Sequence, residues 1–110
     1  MNEWITQLRK GIMELCLLNL LKQKDSYGYE IVQNLNSIAE LSVRESTIYP
    51  ILSRLKIEGY LKVRSEKSSD GPPRRYFSLT ESGKIRINEI NQYWDRLSAS
   101  ISKLKNTEIS

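Results

Sequence analysis

Residues Glu45–Leu61 read ESTIYPILSRLKIEGYL. Ile48, Ile51, Leu52 and Leu55 recur at three- and four-residue steps, the spacing of one face of a helix. Ser46 or Thr47 ahead of them can accept a hydrogen bond from the free N–H groups of a first turn. Pro50 falls near the front, where those N–H groups have no helical partner and a proline is tolerated. Gly59 is placed to end the helix in a left-handed conformation. The opposite arc carries Ser46, Pro50 and Ser53, flanked by Thr47, Tyr49 and Arg54. Hydroxyls, a phenol and a guanidinium on one exposed arc can meet a ligand outside the protein. Ile57 falls on the same arc, close to the helix end where the arc would be leaving its ligand, and nothing else in the pattern explains an aliphatic side chain there.

Upstream of this helix, apolar spacing predicts a first helix from about Glu3 to Lys22. Its stripe is Ile5, Leu8, Ile12, Leu15, Cys16 and Leu20 or Leu21. Met13, Leu17 and Leu18 widen the stripe, so the helix is expected to be covered on more than one side. Asp25 or Ser26 can cap a second helix from Tyr27 to about Ile38, with Ile31, Leu35 and Ile38 inward. Downstream, Leu61–Lys67 and Arg74–Leu79 read as two strands around the turn residues SSDGPP. Leu61 and Val63 alternate with Lys62 and Arg64, giving one apolar and one basic face. Thr80 is placed to cap a last helix from Glu81 to about Lys105.

The chain has 110 residues, the size of one domain, with 17 Lys and Arg against 13 Asp and Glu. The excess is localised. Ten basic residues lie between Arg44 and Arg86 (44, 54, 56, 62, 64, 67, 74, 75, 84 and 86) against five acidic ones (45, 58, 66, 70 and 81). That segment is +5 and the remainder −1, which suits a polyanionic partner. The one cysteine, Cys16, excludes an internal disulfide and fits a reducing cytoplasm; it reads as a small buried hydrophobe. There is no histidine, which removes the commonest metal ligand and general base. No paired carboxylates at useful spacing and no glycine-rich phosphate loop are present, so an enzyme, a metal site and a cofactor are not expected. No apolar run approaches the roughly 18 residues of a membrane span, and the polar-rich N-terminus is unlike a signal peptide.

Two helices joined by a bend and followed by a basic hairpin describe a winged helix-turn-helix, which lays its second helix in the DNA major groove. The fold class expected is mainly α with a β-hairpin wing, residues 1–80 forming the DNA-binding unit and 81–110 a C-terminal dimerisation helix. Ser46 and Thr47 would sit at a helix N-terminus, where N–H groups favour a phosphate. The Tyr49 hydroxyl can donate to another phosphate, and the Arg54 fork matches guanine or phosphate. Pro50 and Ser53 share the same face, and Lys67, Arg74 and Arg75 would reach the backbone beside the groove. A half-buried packing role for Tyr49, and an aggregation-blocking role for Arg74 and Arg75 on a strand edge, are the plainer alternatives.

Four stretches together resemble the PadR family of bacterial transcriptional regulators. They are KGIMELCLLNLL (Lys10–Leu21), YGYEI (Tyr27–Ile31), STIYPILSRLKIEGYL (Ser46–Leu61) and GPPRRYFSLTESG (Gly71–Gly83), in the family's order. The resemblance implies a winged-helix repressor with Thr47, Tyr49 and Pro50 in the recognition-helix motif. The family commonly has Gly-Arg-Pro where this chain has Gly71-Pro72-Pro73, one wing cation fewer, and Gly-Pro where it has Asp25-Ser26. The last helix resembles the short-tailed branch, whose members dimerise through it.

In that helix Ile87, Ile90, Trp94, Leu97, Ile101 and Leu104 step by 3, 4, 3, 4, 3, an a/d seam over about two and a half heptads. Uncharged flanks at Asn91, Tyr93, Ser98 and Ser100 point to a broad homodimer contact that includes a first helix. A fold-back onto its own domain is the alternative. A two-fold dimer would read an inverted-repeat operator. Trp94 can meet its symmetry mate, leaving an apolar slot for a planar aromatic effector, or it can simply fill the seam. Some short-tailed relatives bind flat hydrophobic compounds between tryptophans at the matching position. The leading expectation is therefore a cytoplasmic dimeric repressor of duplex DNA. The rival is a winged-helix protein-interaction module without specific DNA binding, and salt-sensitive duplex binding separates the two.

Overall fold

The computed structural model describes residues 3–106. The elements run α1 (Glu3–Gln23), β1 (Ser26–Tyr27), α2 (Gly28–Asn36), a 3-10 turn (Ala39–Leu41), α3 (Glu45–Ile57), β2 (Leu61–Ser68), β3 (Gly71–Leu79) and α4 (Glu81–Asn106). β2 and β3 form the hairpin, and β1 adds a short third antiparallel strand in the order β1-β3-β2. The expected hairpin is thus a three-stranded sheet with a two-residue edge. Ser26 pairs with Phe77 and Tyr27 with Tyr76. The backbone at Ser26 and Tyr27 therefore serves the sheet, and neither Asp25 nor Ser26 caps α2 by a side chain. Tyr27 stands at the N-cap position of α2, and the Ser26 hydroxyl turns back to the Lys24 carbonyl at 3.1 Å.

The core is one cluster. Met13, Leu17, Leu18 and Leu21 of α1 meet Ile31, Val32 and Leu35 of α2, and Ile48, Leu52 and Leu55 of α3; Leu61, Phe77, Leu79 and Ile87 close it. The inward line of α1 differs from the expected one. Leu8 is exposed, and Leu15, Cys16 and Leu20 sit at the core's margin. A helix apolar on several sides satisfies more than one period, so spacing alone does not choose its inward face. Burial raises the Cys16 thiol above its ordinary value, in keeping with an inert packing residue.

α2 ends at Asn36, two residues before the expected Ile38, which is exposed. The bend toward α3 is tied by the Asn36 side chain, whose Oδ1 accepts from the Val43 N–H at 3.0 Å and the Ser42 hydroxyl at 3.1 Å. A chain turning here cannot carry Ile38 on to the core. Gly59 adopts φ 87°, the left-handed stop expected after α3. Thr80 caps α4 as expected, its Oγ1 accepting from the Gly83 N–H at 3.0 Å and donating to the Gly59 carbonyl at 2.6 Å. That clasp fixes α4 against the end of α3. Gly83 fits under it because a Cβ there would lie 2.1 Å from the Tyr60 carbonyl oxygen.

β3 begins at Gly71, earlier than the expected Arg74, and includes Pro72 and Pro73. Two prolines survive in a strand because β1 reaches only Tyr76 and Phe77, so one side of β3 is open beyond that point. The pairing with β2 is also irregular there, shifting between Glu66 and Ser68.

Candidate nucleic-acid interface

α3 starts at Glu45 with Arg44 at its N-cap and no capping side chain, so Ser46 and Thr47 are first-turn residues and not the cap expected of them. The earlier start places Pro50 inside the helix, in its second turn. Its missing N–H leaves the Ser46 carbonyl without the usual helical donor. This change is local to the exposed face, since Ser46 and Pro50 both face solvent while Ile48, Leu52 and Leu55 bury the other side.

Tyr49 is both packed and presented. Its ring lies over Gly28 at the start of α2, where an added Cβ would come within 2.8 Å of the Tyr49 hydroxyl and Cε1. It remains 40% exposed. Burial first, then the Glu45 charge, raises the phenol above its ordinary value, keeping it a hydrogen-bond donor. From Tyr49 a groove of about 500 Å³ runs between α3, the start of α2 and the sheet, bordered by Ser53, Lys56 and Ile57 of α3, Tyr29 of α2, and Arg74 and Arg75 of β3. Four expected contact residues, Tyr49, Ser53, Arg74 and Arg75, therefore share one groove. Ser46, Thr47 and Pro50 lie toward the N-terminal end of the same helix, and Lys67 lies near the hairpin tip.

The guanidinium of Arg74 stacks 4.6 Å from the centroid of Tyr27, which also packs edge-on against Tyr76 at 5.4 Å. β1 thus steadies the wing cation that borders the groove. Tyr27, Tyr29 and Lys56 were not foreseen as groove residues. The only hint was the tyrosine pair on either side of Gly28, and its place beside Arg74 depends on the β1–β3 pairing.

Arg54 is placed differently from the expectation. It pairs with Glu58 on its own helix and with Glu14 of α1 at 3.0 Å, turned toward the body. Hydrogen bonding to Glu14, supported by Glu58, raises its guanidinium above the ordinary value. The other Glu14 oxygen accepts from Arg86 of α4 at 3.0 Å, and Arg86 in turn stacks 4.9 Å from the Tyr60 centroid. One carboxylate therefore holds α3 and α4 to α1. Spacing could not reveal this, because Glu14 lies 40 residues from Arg54 and 72 from Arg86. The basic excess is also redistributed. Arg54, Arg64, Lys84 and Arg86 are paired with carboxylates, while Lys56, Lys67 and Arg75 make no ion pair among the described residues.

The a/d seam of α4 splits in two. Ile87 is fully buried and Ile90 packs at the core's margin, so Ile87 serves its own domain and is not available to a partner. The reason is the Thr80 clasp, which docks the first turns of α4 under β3 and Tyr60. Two hydrogen bonds of 2.9 Å between the Asn19 and Asn91 amides extend that docking. Beyond it, Trp94, Leu97, Ile101 and Leu104 are exposed, Leu104 by 65%.

The model of the transcriptional regulator PadR-like family matches residues 17–89. This chain belongs to that family. Its fold superposes on a PadR-like transcriptional regulator from Bacillus cereus with a TM-score of 0.83 at 34% identity, covering 93% of this chain and 99% of that one. A Streptococcus transcriptional regulator gives a TM-score of 0.82 at 40% identity, covering 91% and 98%. The PadR of Bacillus subtilis, a negative transcriptional regulator, has been solved in complex with operator DNA. Its TM-score is 0.65 at 26% identity over 71% of this chain and 45% of that longer one. The winged helix and the long C-terminal helix of this PadR-like chain are thus those of a transcriptional regulator.

Proposed function

We propose that this PadR-like regulator is a DNA-binding repressor that acts as a homodimer on an inverted-repeat operator. In this reading α3 enters the major groove, Ser46, Thr47 and Tyr49 meet phosphates at its front, and Lys67, Arg74 and Arg75 hold the backbone from the wing. Residues 81–110 join two protomers through Trp94, Leu97, Ile101 and Leu104, with Ile90 at the edge of the contact. The exposed apolar side of α1 at Trp4 and Leu8 adds area to that contact. The observation that carries the reading is the α3–wing groove, which gathers Tyr49, Ser53, Lys56, Arg74 and Arg75 on one solvent-facing side. The Bacillus subtilis relative supports it by engaging operator DNA with the same fold. No described helix is long and apolar enough to cross a membrane, and the cytoplasm, where DNA is accessible, is the proposed location.

The dimer contact also provides for an effector. Trp94 is 38% exposed on the unpartnered part of α4. Two such indoles facing across a two-fold axis would make a flat apolar slot for a planar aromatic compound. Footprinting on the region upstream of the chain's own gene tests the main proposal. It is expected to show two protected segments centred about one helical turn apart, 10–10.5 bp. Uniform or absent protection would contradict it.

A further inference from the structure

Ile57 is 85% exposed, the most exposed large hydrophobic residue among those described. It stands in line with Ser46, Pro50 and Ser53, at helical steps of 4, 3 and 4, on the outward face of α3, of which it is the last residue. It also borders the groove shared with Lys56, Arg74 and Arg75. Exposed apolar side chains are common on this chain, but Ile57 is set apart by its place in the groove beside Lys56, Arg74 and Arg75. That setting matches a polyanion that carries an apolar group between its charged edges. Among the base edges of the B-DNA major groove, the thymine C5-methyl is that group. The flanking cations fit the phosphate rails on either side of it.

We propose that Ile57 is a specificity residue that packs against a thymine methyl in each half-site. The inference rests on the DNA-binding reading above and adds a base preference to it. Ser53, one turn earlier on the same face, keeps a polar contact available beside the methyl. Lys56, Arg74 and Arg75 supply attraction without base preference.

The test uses the full chain and an operator recovered by selection from random duplexes. Each thymine is replaced singly by deoxyuridine, which removes only the methyl group, and affinity is read by fluorescence anisotropy. One position in each half-site is expected to weaken binding about fourfold, the worth of removing one buried methyl from contact. In Ile57→Ala that methyl dependence is expected to fall to near zero at the same position and to persist elsewhere. Because Ile57 is exposed, the thermal melt of Ile57→Ala should match the parent, so a lost dependence is not a lost fold. An operator whose affinity ignores every methyl, or an Ile57→Ala protein with the parent's full methyl dependence, would overturn the inference while leaving DNA binding intact. A selection that enriches no sequence would overturn the DNA reading and this inference together.

Discussion

Gly83 shows how much a single position can decide. Its missing side chain lets α4 approach the Tyr60 carbonyl, and a Cβ would fall 2.1 Å from that oxygen. Neither the α4 backbone nor Tyr60 is a flexible chain end that could move aside. Gly83→Ala is expected to cost roughly 3 kcal/mol, the upper end of the overpacking range, as read by urea unfolding. Arg54 carries the opposite lesson. Its place on the outer arc of a helix was legible in the sequence, but its partners were not, because Glu14 reaches it from a helix far away in the chain. The pair is about half exposed on the arginine side, so its contribution is small. A double-mutant cycle with Glu14→Ala and Arg54→Ala is expected to return a coupling of roughly 0.5–1 kcal/mol in stability. A coupling of zero would mean that the pair adds nothing to stability, so that Arg54 could turn from Glu14 to DNA at no cost to the fold. Tyr49 resolves its two readings by having both, with a ring seated on Gly28 and a phenol at the groove.

Elements are held at their ends as much as along their faces. Thr80 caps α4 and also grips Gly59, and Ser82 donates to the same Gly59 carbonyl at 2.9 Å. Thr80→Ala removes the cap and leaves Ser82 to hold that carbonyl. A loss of about 1–2 kcal/mol is expected, measured as a lower urea midpoint with an unchanged slope. This cap was readable because Thr80 stands directly before a strongly periodic helix. The α3 and α2 starts were not, since both use neighbouring backbone and no side-chain cap. The four α-helices, the hairpin and their order were legible from period and turn chemistry. β1 was hidden because two residues cannot show alternation, and its existence depends on pairing with Phe77 and Tyr76. The inward face of α1 was hidden because apolar residues surround it, and the choice falls to what packs there.

At the scale of the molecule, a 26-residue α4 gives the chain an elongated form of 62 × 34 × 21 Å. Its first turns belong to the core, and its later turns carry Trp94, Leu97, Ile101 and Leu104 into solvent. The heptad pattern could not show where the own-domain contact ends, because Ile87 and Ile101 occupy equivalent steps of one seam. Leu97→Glu and Ile101→Glu are expected to give a folded monomer, since each places a charge where the proposed partner would bury it without a counter-ion. Sedimentation velocity checks this, with a dimeric parent at micromolar concentration as the reference. The central claim, that the α3–wing groove grips DNA, is tested most directly by the salt dependence of binding. Affinities of the parent and of an Arg74→Ala, Arg75→Ala double variant are measured from low to moderate salt, on a selected operator and on an unrelated duplex. The parent is expected to prefer the operator and to lose affinity steeply with salt. The double variant is expected to bind both duplexes more weakly, with a log-log salt slope shallower by about 2 and the sequence preference retained. A double variant with the parent's slope and affinity on both duplexes would contradict the account.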